Sequence, residues 1–516
     1  MGNSSPGGVK FKRILHGDAN LASGAGWLFP TGRLMNADIR ESLGRLFANA
    51  YAVHLFAIAG FILAFFLVAR LMSEKRAPAN TFAWLLIMIL VPYVGVPLYL
   101  ILGGRKLSRV VKRKTQLRPT LPFAAAPLVA TEGRPVAHAL TSAGATAPVS
   151  GNRLSLLTTG EDEFAALERH IRSAKHTIHL TTFILKMDDS GRRIVGLLEE
   201  RARQGVKVRV LLDSIGCLFS SAALMGPLRR AGGEVGRFMP VIPFSSSGSA
   251  NLRIHRKMAV FDHATAIMGG RNIAREYMGP SPYKKRWLDF GVVIDGPAAA
   301  LLNDVFIADW CFATHQKPES LLSEISPEVS APRGESELQV VASGPDVPGD
   351  PLYEGIVAMI QEAEKSVWIV TPYFIPDEVL LRSLVVKARA GREVTLVVPA
   401  HSNHPITDFA RRYYIRELKK SGARVLLYPD GMLHAKAIIM DERIALFGSA
   451  NFDLRSLFVN FEIGVFAYSR PDVLAIKGWA QGLIRRCKEQ GPERSRRRRI
   501  LGNVAEDISR LLAPLL

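Results

Sequence analysis

The sequence predicts an α/β protein: two similar halves related by a pseudo-twofold axis, each a mostly parallel β-sheet flanked by helices, preceded by a two-helix transmembrane hairpin. Three observations predict it. Two long uncharged apolar runs lie near the N-terminus. Helical and strand-like stretches then alternate in an order that occurs twice. Finally, the octapeptides HRKMAVFD (His255–Asp262) and HAKAIIMD (His434–Asp441) share the spacing His-x-Lys-x4-Asp, each followed by a small-residue turn ending in Asn.

The elements follow in chain order. Residues 1–50 form an N-terminal tail; its first 34 residues are Gly- and Ser-rich without periodicity and read as disordered. From Tyr51 to Ala69 no formal charge appears, and a second apolar run spans Thr81 to Leu102. Each reaches the roughly 20 residues needed to cross a hydrocarbon core. Core helices keep a polar stripe, which these runs lack. The first run starts too late for a cleaved signal peptide, and no small-residue cleavage site follows it. Residues 51–102 are therefore expected to be the membrane hairpin.

Basic residues flank its outer ends: Arg33, Arg40 and Arg45 before it, Arg105, Lys106, Arg109, Lys112, Arg113 and Lys114 after it. The connecting loop holds Lys75 and Arg76. The positive-inside rule then places both termini, and with them the chain beyond the hairpin, on the cytoplasmic side of the membrane.

Residues 103–150 read as a basic juxtamembrane segment and a linker, because 115–150 are rich in Ala, Pro, Thr and Ser without periodicity. Two homologous stretches come next. IRSAKHTIHLTTFI at Ile171 is echoed by IQEAEKSVWIVTPYFI at Ile360; EERARQGVKVRVLLD, ending at Asp213, is echoed by VKARAGREVTLVVP, ending at Pro399. Nearly all-apolar strands between helices argue for a sheet covered on both faces. The halves are assigned to residues 151–330 and 331–516, joined by a connector near 321–337, and their polar motifs to the carboxyl ends of strands.

Composition narrows the function. Lys plus Arg number 66 against 46 for Asp plus Glu, a net charge of +20, which points to a polyanion: nucleic acid or an anionic lipid surface. Hydrophobic residues make up 48%, consistent with membrane-embedded parts. Three scattered cysteines (Cys217, Cys311 and Cys487) fit neither a disulfide framework nor a zinc knuckle.

The repeated octapeptide carries the chemistry. A His and a Lys two apart on a strand point to the same face. Two such pairs with two asparagines around one cavity suit a phosphodiester. Lysine and asparagine donors hold the nonbridging oxygens, one imidazole attacks phosphorus, and the other protonates the leaving alcohol. Lysines supply the charge, so neither a metal nor another cofactor is expected. The two turns differ, GGRN against GSAN, so only Ser449 of the second half offers a hydroxyl to the phosphate.

This doubled motif resembles the phospholipase D superfamily. PANTFAWLLIMILVPYVGVPLYLILGGRK, WLDFGVVIDGPAAALLNDVFIADW, GSANFDLRSLFVNFEIGV and the closing RLLAPLL narrow the resemblance to bacterial cardiolipin synthases, from about residue 50 to the end. The resemblance implies two phospholipase D-like halves, with His255 as nucleophile and His434 as general acid, then base. It assigns Lys257, Lys436, Asn272 and Asn451 to the phosphate and gives Asp289 and Glu462 the task of orienting the histidines. Asp262 and Asp441, grouped with the catalytic motif, are expected to act in the frame of the site. The implied reaction converts two phosphatidylglycerols into cardiolipin and glycerol. Alternatives are hydrolysis by a phospholipase D, phosphatidylethanolamine as donor, or a membrane-attached nuclease; the membrane runs and the lack of a nucleic-acid module argue against the last. The expected partners are phosphatidylglycerol and anionic membrane lipids, with no nucleic acid.

Outside the motifs, His176, His179, His401 and His404 read as non-catalytic. Arg496 to Arg499 read as an anchor to anionic lipid, and Arg455 lies in the right region to meet a second phosphate.

Overall fold

A computed structural model describes residues 78–102, 133–218, 221–239, 252–322, 331–347 and 349–490, with residue 324 and scattered positions between 51 and 71. The expectations for residues 1–34, the basic clusters at 105–114 and 496–499, and the C-terminal RLLAPLL lie outside these residues.

The chain divides into a unit of residues 1–69 and a unit of residues 70–516. In the first, the described positions from Tyr51 to Val68 are helical. The second begins with two short helices, Pro78–Leu90 and Pro92–Leu102, where the sequence predicts one span. Pro92 has no backbone N–H to continue the ladder. Gly95 lets the second helix close on the first: a Cβ there would lie 2.5 Å from the Ile87 carbonyl oxygen. Trp84 and Tyr99 meet edge to face at 5.4 Å, so the pair folds back on itself. Helices of 13 and 11 residues rise only about 20 and 16 Å. Among the described residues no helix is long and apolar enough to cross a membrane.

Both halves belong to one sheet of 15 strands rather than to two sheets. From its centre the first half runs outward as Val149–Leu157, Gly291–Asp295, Thr265–Gly269, Met258–Phe261, Thr177–Thr182, Lys207–Asp213 and Glu234–Phe238. The second half mirrors it as Ser336–Ser343, Glu462–Ala467, Ile444–Gly448, Ala437–Met440, Ser366–Val370, Glu393–Pro399 and Arg424–Tyr428, with Lys488–Glu489 at its edge. The halves join where Val149–Leu157 pairs antiparallel with Ser336–Ser343.

The sheet is mostly antiparallel, which corrects the parallel expectation. Four neighbouring pairs run parallel and ten antiparallel. The reason lies in the motif strands. Met258–Phe261 turns straight back into Thr265–Gly269, and Ala437–Met440 into Ile444–Gly448. Asp262 and His263 (φ 49° and 58°), like Asp441 and Glu442 (52° and 58°), sit in left-handed conformations inside these turns, as a type I′ hairpin turn requires.

Helices cover both faces. Pro297–Thr314, apolar on nearly every side, lies beneath the first half, and its pseudo-equivalent Arg470–Ile484 beneath the second. A buried core of residues from both halves, among them Phe238, Phe306, Phe447 and Phe461, fills this face. Each half packs its remaining helices over a separate core on the other face. Part of the expected linker is structured: Arg134–Ser142 is a helix with Pro135 in its first turn, and Val136, Ala137 and Leu140 are buried in the core of the second half.

Candidate active site

The His and Lys residues of the two motifs stand just ahead of the motif strands. His255 and Lys257 immediately precede Met258–Phe261, and His434 and Lys436 precede Ala437–Met440, all in extended backbone rather than inside the strands. The lead-ins are stitched across the halves. His255 N donates to the Phe461 carbonyl at 2.9 Å, and Phe461 N to the Arg253 carbonyl at 2.9 Å. His434 N donates to the Leu288 carbonyl at 2.7 Å, and Leu288 N to the Met432 carbonyl at 2.8 Å.

These bridges exchange the acids. Nδ1 of His255 lies 2.9 Å from the carboxylate of Glu462, and Nδ1 of His434 lies 2.8 Å from that of Asp289. Each imidazole thus takes its carboxylate from the opposite half. A carboxylate at Nδ1 favours the proton there and leaves Nε2 with its lone pair; Nζ of Lys436 also lies 2.8 Å from Nδ1 of His434.

His434, Lys257, Lys436, Asp289 and Glu462 are buried, and His255 is half-buried where it lines the cleft. Burial pushes His255 down to about 4, with Glu462 pulling it up and Lys257 pushing it down further. Burial, assisted by the Lys436 charge, pushes His434 down to about 3. Both rings are therefore neutral at rest. Burial also raises the cost of ionising Glu462 and Asp289, yet His255 and Lys257 on one, Lys436 and His434 on the other, hold both carboxyls below their ordinary range. Burial lowers Lys436 to about 8 and depresses Lys257 strongly. Each histidine feels the charge of the opposite half's lysine, and Lys257 feels that of Lys436, so the four motif groups adjoin. Nζ of Lys257 donates to the His255 carbonyl at 2.6 Å, and Nζ of Lys436 to the His434 carbonyl.

The acids are held in two different ways. Gly270 leaves room for Asp289: a Cβ at Gly270 would lie 2.3 Å from its Oδ2. The equivalent Ser449 is fully buried, donates its hydroxyl to Glu462 and accepts from Ile463 N at 3.0 Å. The hydroxyl expected at the phosphate is thus engaged in holding the acid. Asn272 Oδ1 accepts from Ile184 N at 3.1 Å. Asn451 lines a cleft of about 440 Å³ together with His255, Phe183, Tyr373, His404 and Arg455.

This chain matches the family described as "Cardiolipin synthase, PLD-like domain" over residues 167–310 and 356–483, and "Phospholipase_D-nuclease N-terminal" over residues 61–104. It is 35% identical to a cardiolipin synthase of Geobacillus kaustophilus across 86% of this chain and 90% of that one. With the major cardiolipin synthase of Bacillus subtilis it shares 31% identity across 91% and 99%. The chain belongs to the cardiolipin synthase family. Among solved structures, phosphatidylserine synthase of Haemophilus influenzae shares the fold at a TM-score of 0.54 and 16% identity, over 79% of this chain and 98% of that one.

Asp262 and Asp441 stand at the far ends of the four-residue motif strands, away from the imidazoles. Asp262 accepts from the backbone N–H groups of Lys175, His176 and Thr177 at 2.7–2.8 Å. Asp441 accepts from those of Glu364, Lys365 and Ser366 at 2.6–2.8 Å. Both tie a hairpin turn to the start of the neighbouring strand and so act on the frame.

Of the histidines outside the motifs, His179 is buried against Phe306 and bonds Asn303, whereas His404 lines the cleft. Sequence reasoning passed over Arg256, the middle residue of the first motif. Alternation points it away from the cleft, fully buried, where Nε donates to the Glu462 carbonyl at 2.9 Å and Nη2 to that of Ser343 at 3.1 Å. Its charge pairs with Asp309. A charged residue flanked by two motif residues was the available signal.

Proposed function

We propose that this cardiolipin synthase moves a phosphatidyl group from one phosphatidylglycerol to another, giving cardiolipin and glycerol through a phosphatidyl-histidine. The observation that carries the reading is the exchange of acids between halves, which presents two Nε2 atoms and two lysines to one phosphate. Nε2 of His255 forms the N–P bond as the O–P bond to glycerol breaks, and His434 delivers a proton to the departing oxygen. Burial and the lysine charges depress His434, and an entering phosphodiester anion offsets those charges, so His434 takes up a proton from solvent as the substrate binds. In the second step the acceptor's hydroxyl proton passes to His434, its oxygen bonds phosphorus, and the N–P bond breaks. Lys257, Lys436, Asn272 and Asn451 bind the nonbridging oxygens.

The folded-back helices 78–102 serve as the membrane seat. Trp84, Met88, Val96 and Tyr99 are buried, while Phe82, Leu86, Ile89, Leu90 and Tyr93 are exposed. Such a continuous apolar surface suits lipid. The catalytic halves then face the cytoplasm at the inner membrane, where a second phosphatidylglycerol outcompetes water through effective concentration.

The test is purified protein with phosphatidylglycerol alone in bilayers. Cardiolipin and glycerol in equal amounts, reversed by added glycerol, are expected. Phosphatidic acid as main product would make the protein a phospholipase; cardiolipin only with phosphatidylethanolamine would change the donor.

A further inference from the structure

Helix Pro405–Lys420 begins at the mouth of the cleft. Its first turn, including Ile406 and Thr407, lines the cleft beside His255. An ordinary surface helix shows polar residues outward. This one exposes Ile406 (53%) and Phe409 (39%), with Tyr413 half-buried one turn on. Arginines frame them: the Arg412 guanidinium lies 4.4 Å over the Phe409 ring and that of Arg416 5.9 Å over the Tyr413 ring.

The neighbouring helix Glu378–Arg389 continues the surface, exposing Val379 (49%) and Val386 (61%). Its Arg382 feels the fields of Tyr413 and Glu417, so the two exposed faces adjoin. The three acids of these helices are internally matched, Glu378 to Arg382 at 2.7 Å, Asp408 to Arg411 at 3.1 Å and Glu417 to Lys420 at 2.8 Å, and the remaining charge is positive. The first half contributes at the opposite lip. Ile215 and Leu218 are exposed in the turn whose Cys217 bonds the carbonyl of Phe183, a cleft residue.

We infer that this apolar and basic face, built on helices 378–389 and 405–420, docks into the headgroup–acyl boundary of an anionic bilayer, so that the cleft opens directly onto its lipid substrate. The inference rests on the lipid-transferring function proposed above. Three features select a bilayer: aromatic and aliphatic side chains framed by arginines, positive net charge against anionic headgroups, and continuity with the cleft. His434 is buried and His255 opens only into the cleft, so a lipid that stays largely in its membrane reaches them only if the cleft mouth meets that membrane.

The experiment uses the full chain in phosphatidylglycerol vesicles, with an environment-sensitive fluorophore attached to Phe409→Cys. Quenching by lipid-borne quenchers rather than by aqueous iodide is expected. A second measurement compares Phe409→Asp combined with Val386→Asp to the unsubstituted protein. Transfer on vesicles should fall about tenfold, while transfer on short-chain phosphatidylglycerol dissolved as monomers should stay within about twofold. Quenching by iodide alone, or equal loss on both substrates, overturns the docking. So does a change of oligomeric state in the double variant without lipid quenching, which would make the face a contact between copies. The quenching arm reads membrane contact independently of product, so it survives if cardiolipin is not the product.

Discussion

His255 and Glu462 stand 207 residues apart in the chain and 2.9 Å apart in space, joined from Nδ1 to carboxylate across the pseudo-twofold axis. His434 and Asp289 repeat the contact in the other direction. If the carboxylates fix the tautomers, Glu462→Gln and Asp289→Asn should each lower turnover by about 10²–10⁴-fold, as expected when the wrong nitrogen carries the proton. Turnover within a factor of two of the original would remove the tautomer argument.

The two histidines should be distinguishable by trapping. With a donor whose leaving group needs no proton, His434→Ala should accumulate a phosphatidyl adduct and His255→Ala none. Mass spectrometry of the digested protein checks it. An adduct on His434 instead would reverse the assignment of nucleophile and acid.

The turns offer a sharper probe of how the acids are held. Gly270→Ala forces a methyl group onto the Asp289 carboxylate, and Ser449→Ala removes a hydrogen bond from Glu462. The first change should cost more, because Asp289 must move off His434, whereas Glu462 keeps its contact with His255. Supporting groups of this kind are worth about 10–100-fold in activity. Steady-state kinetics should place Gly270→Ala at the upper end or beyond and Ser449→Ala at the lower; the reverse order contradicts this account.

Stability should fall as pH drops below neutrality. His255 and His434 are held neutral to about pH 4 and 3, while unfolded histidine protonates near 6.5. Between those values the unfolded chain binds protons that the folded chain refuses. Each histidine therefore removes up to about 1.4 kcal/mol of stability per pH unit over that window. Asp289 and Glu462, held below their ordinary range, withdraw their contribution only at still lower pH, as each falls through its folded value. Denaturant midpoints at pH 7 and pH 5 should differ less for His255→Asn than for the unsubstituted chain. Equal differences would mean that the imidazole is not held neutral.

Activity should persist in EDTA at constant ionic strength, because Lys257 and Lys436 meet the phosphate charge. Loss on chelation with rescue by one cation per chain would require a different electrostatic partner for the phosphate.

The motif spacing told most about the site. His-x-Lys-x4-Asp twice, with trailing asparagines, was enough to infer paired imidazoles and phosphate chemistry. Which acid serves which histidine was not legible, since separations of 207 and 145 residues leave no local trace. The parallel reading failed because strands buried on both faces are apolar whichever way they run. The short Asp262–Ala264 and Asp441–Arg443 turns, too short for a crossover, held the correcting information. Pro92 and Gly95 likewise marked the break in the second apolar run. The bond from Ser449 to Glu462 was not legible, because a hydroxyl beside a phosphate motif says nothing about which partner it faces.

The exchange of acids has a consequence for ancestry and engineering. One half expressed alone would carry an imidazole with no carboxylate at Nδ1, so neither half is a self-sufficient catalyst. Two copies of a single half could restore the contacts, but every position would then be constrained to serve both roles at once. Joining the halves in one polypeptide removes that constraint, and position 270 is glycine where its counterpart 449 is serine. A symmetric scaffold can in this way host a reaction whose two partners, donor and acceptor, are never equivalent.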